Sequence, residues 1–137
     1  MTAEVFLDSN ILLYACSAAT ADAEKQAIAG RLIMETDFGL SAQVMQEFIS
    51  NALRKKELGI SESVIDATME LCGQVHVLPV TRELVIAAVI LRRRFQLSHW
   101  DSTILAAARE LGGHTLYSED LNPGQDYDGV RVVNPFQ

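Results

Sequence analysis

Val5-Phe6-Leu7-Asp8-Ser9-Asn10-Ile11-Leu12 is the stretch whose reading decides the fold. Three apolar residues run unbroken into an Asp, two small polar residues follow, and apolar residues then return at helical spacing. A short continuous apolar run ending in polar residues suits a parallel strand buried on both faces. In open α/β sheets the functional crevice lies just beyond the carboxyl ends of such strands, which is where Asp8 falls. Asp8 or Ser9 is also placed to cap the helix running on through Tyr14 and Cys16.

Working outward, the same alternation recurs. Acids in the stretch Ala21-Asp22-Ala23-Glu24 begin a second helix, with Ile28, Leu32 and Ile33 on one side. Asp37-Phe38-Gly39-Leu40 reads as a short strand, and Ser41 opens a third helix. Its buried stripe is Val44, Met45, Phe48, Ile49, Ala52 and Leu53, and Gln43, Glu47, Asn51 and Arg54 fall on the adjoining polar stripe. Gly59 breaks the pattern, Ser61 caps a fourth helix reaching about Cys72, and Gly73 stops it. Residues 75–80 form a strand, and Thr81 opens a helix ending in Arg92-Arg93-Arg94. Ser98 opens the next, which runs to about Leu111 and stops at Gly112-Gly113. His114-Thr115-Leu116-Tyr117 is a strand followed by Ser118-Glu119-Asp120, and Val130-Arg131-Val132-Val133 is the last. Strands alternating with helices indicate an α/β fold, a parallel sheet covered on both faces.

The chain has 137 residues, 49% apolar and 21% charged, which predicts one globular domain spanning residues 1–137. A formal charge of −7 excludes gripping nucleic acid by bulk positive charge. Cys16 and Cys72 lie in apolar helical patterns without metal-type spacing and read as reduced core residues. No apolar run approaches the roughly 20 residues of a membrane span. Nor is the acidic N-terminus that of a signal peptide. The cytoplasm, with no membrane partner, is the expected location.

Four carboxylates stand out, although each has an ordinary explanation taken singly. Asp8 suits an N-cap, Glu47 the solvated face of an amphipathic helix, and Asp120 a turn. Asp101 completes something close to a capping box in Ser98-His99-Trp100-Asp101. Their joint placement says more. Asp8 and Asp120 each follow an apolar strand and project from one edge of a parallel sheet. Glu47 and Asp101 lie in the first two turns of helices packed on such a sheet. Helix N-termini that immediately follow a strand face that same edge, which is clear for Glu47 and assumed for Asp101. A pair of like charges at about 4 Å costs about 4 kcal/mol at an effective dielectric of 20. Convergence is therefore tolerable only with a shared proton or a cation. Oxygen donors without neighbouring Cys or His point to a hard ion, Mg²⁺ or Mn²⁺.

Phe6-Leu7-Asp8-Ser9-Asn10-Ile11-Leu12, Gln46-Glu47-Phe48, Trp100-Asp101-Ser102 and Tyr117-Ser118-Glu119-Asp120-Leu121, in this order, resemble the PIN-domain nucleases. More narrowly, they are similar to the VapC-type toxins of bacterial type II toxin–antitoxin pairs, as is the closing stretch from Asp128 to Phe136. The resemblance implies a three-layer α/β/α PIN-like fold with a central, mostly parallel sheet. It also implies a Mg²⁺- or Mn²⁺-dependent endoribonuclease holding one or two ions. By motif position Asp8, Glu47, Asp101 and Asp120 would be the catalytic and metal-binding quartet, supported by Ser9, Asn10 and Ser118. It further implies RNA as substrate, a homodimer, and a cognate antitoxin that blocks the cleft. One departure stands out: many relatives carry an Asp two residues after the last acid, where this chain has Asn122. Glu119 and Asp126 are weak substitutes for it.

Other residues keep two readings. Arg92-Arg93-Arg94, like Arg54-Lys55-Lys56, suits a helix C-terminal turn, or else contacts RNA or the antitoxin. Strand residues His76 and His114 read as structural, and His99 stands next to the site. Trp100 reads as packing its helix onto the sheet, with base stacking the weaker alternative. Leu12, Leu13 and Tyr14 are candidates for a dimer or antitoxin surface. Two rival functions remain. A haloacid-dehalogenase-like phosphatase needs a second Asp where Asn10 stands. A catalytically inert PIN-like module binding RNA or protein would be favoured by loss of a quartet acid, and all four are present.

Overall fold

A computed structural model describes residues 3–137. Strand β1 (Val5–Leu7) leads into α1 (Ser9–Cys16), and a 3₁₀ turn joins it to α2 (Ala23–Glu35). Strand β2 (Phe38–Ser41), α3 (Ala42–Arg54), a second 3₁₀ turn and α4 (Glu62–Cys72) follow. Then come β3 (His76–Leu78), α5 (Arg82–Phe95), α6 (His99–Glu110), β4 (Thr115–Tyr117), β5 (Asp126–Tyr127) and β6 (Val130–Val133). The expected caps are in place. The hydroxyls of Ser41, Ser61, Thr81 and Ser98 accept backbone N–H groups of the first turns they open, each worth about 1 kcal/mol.

The sheet has the order β3-β2-β1-β4-β6-β5 and is parallel except for β5. The chain steps from β1 to β2 to β3 in one direction, then returns past β1 to β4. Parallel crossovers are right-handed, so the two directions put their helices on opposite faces. Helices α1–α4 therefore form one layer and α5 with α6 the other, which gives the three-layer α/β/α arrangement. The direction changes between β1 and β4, paired in register from Val5↔Thr115 to Leu7↔Tyr117. That reversal opens a crevice at the carboxyl ends of these two strands. Asp8 follows one and Ser118 the other.

The core runs through both layers. Phe6, Leu7, Ile11, Leu40, Phe48, Leu105 and Leu116 are buried. Gly39 marks one tight approach. A Cβ there would stand 2.8 Å from Leu111 Cδ1 and 2.9 Å from Ala3 Cβ.

Several side chains depart from the sequence reading. Leu53, placed on the buried stripe of α3, is exposed, and Gln43, placed on the polar stripe, is buried. The stripe of α3 that meets the core is Val44, Phe48 and Ala52, which leaves Leu53 outside it, and the first turn of α6 meets Gln43. Leu12 and Leu13 are buried in the core, so of the three residues offered for a partner surface only Tyr14 keeps exposure. Strand β5 was unforeseen. It is a two-residue strand turned back on β6 through Asp128 and Gly129, both at positive φ (55° and 97°). An Asp-Gly pair is the turn such hairpins favour. In the arginine run, Arg94 pairs with Asp128 at 3.0 Å and so holds this hairpin. Arg92 and Arg93 are exposed.

Candidate active site

Asp8 ends β1 and caps α1, so backbone geometry fixes where its carboxylate points. Oδ1 accepts the Ser9 amide at 2.7 Å, and Oδ2 accepts the Ser118 hydroxyl at 2.7 Å. Ser118, wholly buried, also accepts the Asp120 amide at 3.1 Å. One hydroxyl thus ties the ends of β1 and β4 together. Asn10, in the first turn of α1, donates from Nδ2 to Asp120 Oδ2 at 3.1 Å, with a weaker 3.4 Å contact to Ser118 Oγ. On the other side Ser9 Oγ donates to Glu47 Oε1 at 3.2 Å, and Gln43 Nε2 donates to Glu47 Oε2 at 3.0 Å. The same Gln43 amide reaches the Trp100 carbonyl at 3.2 Å and links the first turns of α3 and α6.

Asp101 joins from the opposite layer. Its helix follows α5 rather than a strand, as the order of elements read from the sequence has it. It reaches this edge because α6 packs along α5 and across the sheet. Asp101 is half-buried, and its backbone N–H donates to the Ser98 hydroxyl at 3.1 Å.

The electrostatics follow from burial and like charge. Burial pushes the Asp8 carboxyl up from 3.8 to about 7. The Ser118 and Ser9 hydrogen bonds oppose that rise, and the charges of Asp120 and Glu47 add to it. Asp101 is raised as well, by burial first and then by the charge of Asp120. The acids therefore couple as a chain, Glu47 with Asp8, Asp8 with Asp120, and Asp120 with Asp101.

The donor set fits a hard divalent cation. Among the described residues, none of its carboxylates pairs with a basic side chain, and the buried Asn10 Oδ1 has no hydrogen-bond partner. As they stand, no three acidic, histidine or cysteine side chains among the described residues are gathered tightly enough to hold an ion. What the arrangement supplies is a negative, partly desolvated edge with fixed carboxylates, where a cation relieves repulsion.

The two substitutes considered for the missing Asp are engaged elsewhere. Glu119 accepts the Tyr14 hydroxyl at 2.7 Å and pairs with Lys25 at 3.3 Å. Asp126 accepts the Gly129 amide at 2.7 Å within the β5–β6 turn. Asn122 donates to Gln125 Oε1 at 3.1 Å.

A cleft of about 620 Å³ opens beside the acids, lined by Glu47, Gln43, Gln46, Val80, His99 and Trp100 among others. Trp100 was expected to pack α6 onto the sheet. Instead its side chain stands 65% exposed at the cleft. Position explains this: Trp100 lies in the first turn of α6, before the buried run from Ser102 to Ala108 begins. Gln43 was the residue missed as part of the site. Its place four residues before Glu47 on one helix face was the available signal.

A family model for the PIN domain matches residues 5–124, most of the chain. The chain belongs to the PIN domain family. Solved structures share the fold at low identity. Mycobacterium tuberculosis VapC20, described as a sarcin-ricin loop cleaving toxin, has a TM-score of 0.68 at 23% identity, covering 85% of this chain and 89% of its own. FitAcB from Neisseria gonorrhoeae has a TM-score of 0.69 at 20% identity over 96% and 98% of the two chains. A toxin–antitoxin complex from Klebsiella pneumoniae has 0.68 at 19% over 96% and 97%. No curated protein sequence matches the chain. Within the PIN fold, the acids of this chain stand where the sheet reverses direction. No helix among the described residues is long and apolar enough to cross a membrane.

Proposed function

We propose that this PIN-domain protein is a metal-dependent endoribonuclease, the toxin of a bacterial toxin–antitoxin pair, acting in the cytoplasm as one domain spanning residues 1–137. The observation carrying this reading is the coupled chain of acids, centred on a buried Asp8 whose carboxyl burial drives up to about 7. A buried carboxylate flanked by two others is costly without a cation. Asp8, Glu47, Asp101 and Asp120 would hold one or two Mg²⁺ or Mn²⁺ ions. When bound, such an ion grips a scissile phosphate and lowers the pKa of a water for in-line attack.

The chain's own residues do the positioning. Ser118 fixes Asp8 relative to Asp120, Asn10 orients Asp120, and Ser9 with Gln43 holds Glu47 across the crevice. Homodimerisation and a cognate antitoxin covering the cleft belong to the same reading. Support comes from membership of the PIN family and from the fold shared with toxins of toxin–antitoxin complexes.

Expression in a bacterial host tests the toxin reading. Induction of the wild-type chain should arrest growth and fragment RNA, while Asp101→Asn, expressed equally, should do neither. Arrest by both forms would refute a nuclease toxin. So would arrest without RNA fragmentation.

A further inference from the structure

An aromatic ring that a packed domain leaves open next to its candidate active site calls for a reason. Trp100 is 65% exposed and directly precedes Asp101. Its backbone is anchored. The Trp100 carbonyl accepts from Gln43 Nε2 at 3.2 Å and from Thr103 Oγ1 at 3.1 Å. The His99 ring packs against the indole edge-on, with centroids 5.2 Å apart and planes at 64°. The indole is therefore carried on an anchored turn and packs edge-on against His99, while most of it stays exposed.

The cleft it borders is continuous with the acids through Glu47, which lines both. Its other walls carry Val80 and Val85 beside Gln46, Ser50 and Asn51. No Lys or Arg among the described residues lines it. Such a wall suits an uncharged, flat, hydrogen-bonding group better than a phosphate. A nucleobase is that group: one π face for the indole, and donors and acceptors along its edge for amides and a hydroxyl. The volume of about 620 Å³ is ample for one nucleoside.

We propose that Trp100 is a stacking platform for one unpaired base of a single-stranded RNA, seated in this cleft beside the scissile phosphate. This rests on the nuclease reading above and adds to it a residue that binds the substrate. RNA bases within a duplex are already stacked and cannot reach the indole, so the site selects loops and single strands. Trp100 is a binding residue, distinct from the acids, and acts on substrate affinity.

The chain's only tryptophan is Trp100, so its intrinsic fluorescence reports this site alone. The test titrates a short, unstructured, dye-labelled oligoribonucleotide into the protein in EDTA, where no metal-dependent cutting occurs. The same sequence as a duplex runs alongside. Saturable quenching by the single strand and none by the duplex is expected. Trp100→Ala should weaken binding, read by dye anisotropy, about 5- to 160-fold, and Trp100→Phe should restore most of it. Absence of saturable quenching overturns the proposal, as does equal binding by Trp100→Ala. So does burial of Trp100 by a protein partner when the oligonucleotide does not bind.

A parallel cleavage assay in Mn²⁺ separates the two readings. Cutting by wild type, abolished in Asp101→Asn and unchanged in KM for Trp100→Ala, sinks the platform and leaves the nuclease. Quenching without any metal-dependent cutting leaves the platform and sinks the nuclease.

Discussion

Replacing Asp8 by Asn should stabilise the metal-free protein at neutral and alkaline pH while abolishing its response to divalent ions. In the folded chain burial holds the carboxyl at about 7 against an ordinary 3.8. Between those values the folded protein keeps a proton that the unfolded chain has released. Each pH unit climbed across that window therefore favours unfolding by about 1.4 kcal/mol. The penalty is absent below the unfolded value and complete above the folded one, where it totals about 4 kcal/mol. An Asn keeps the shape and never ionises. Urea unfolding of both proteins in EDTA at several pH values measures the difference directly. The advantage of Asp8→Asn should be small near the unfolded pKa, grow through the mildly acidic range, and level off above about pH 7. Added Mn²⁺ should then stabilise wild type alone, because an ion that binds only the native state raises apparent stability. An offset that does not change with pH would refute the reasoning, and so would an Asp8→Asn protein less stable than wild type at alkaline pH.

Three further substitutions probe the scaffold. Ser118→Ala removes a hydroxyl that bonds both Asp8 and the Asp120 amide. It should cost about 1.5–3 kcal/mol wherever Asp8 is ionised, and should also weaken Mn²⁺ stabilisation; thermal melts with and without the ion read both effects. Gly39→Ala places a Cβ 2.8 Å from Leu111 Cδ1. It should destabilise by about 1–3 kcal/mol through overpacking, seen as a lower urea midpoint with an unchanged slope. Gln43→Ala cuts the link between Glu47 and the Trp100 carbonyl. It should cost about 1–3 kcal/mol and lower the fluorescence anisotropy of Trp100 by freeing its turn.

Much of this was legible because strands ending in acids carry their own direction. The run Val5-Phe6-Leu7-Asp8 and the pair Tyr117-Ser118 announced two parallel strands, and parallel pairing alone brings Asp8 beside Ser118. Caps at Ser41, Ser61, Thr81 and Ser98 were readable since a side-chain oxygen followed by an apolar helical run has few other uses. The rest depended on which face meets what, which a single helix cannot specify. Gln43 is polar yet buried because α6 lies over it, and Trp100 is apolar yet exposed because its turn overhangs the cleft. Both depend on where the first turns of α3 and α6, distant in sequence, meet at the edge of the sheet, joined by the Gln43–Trp100 hydrogen bond. Asp101's arrival at the site has the same origin, as α6 follows a helix and not a strand. The β5–β6 hairpin did leave a signal in Asp128-Gly129. Two residues of strand are simply too short for a periodicity to appear.

On the proposed reading, these acids cut RNA with the help of a divalent ion. Purified wild-type protein, incubated with cellular RNA in Mg²⁺, Mn²⁺ or EDTA beside identically purified Asp8→Asn and Asp101→Asn, tests it most directly. Discrete fragments bearing 5′-phosphates are expected with either ion, none in EDTA, and none from either variant. Cutting that persists in EDTA, or that both variants retain, would contradict it.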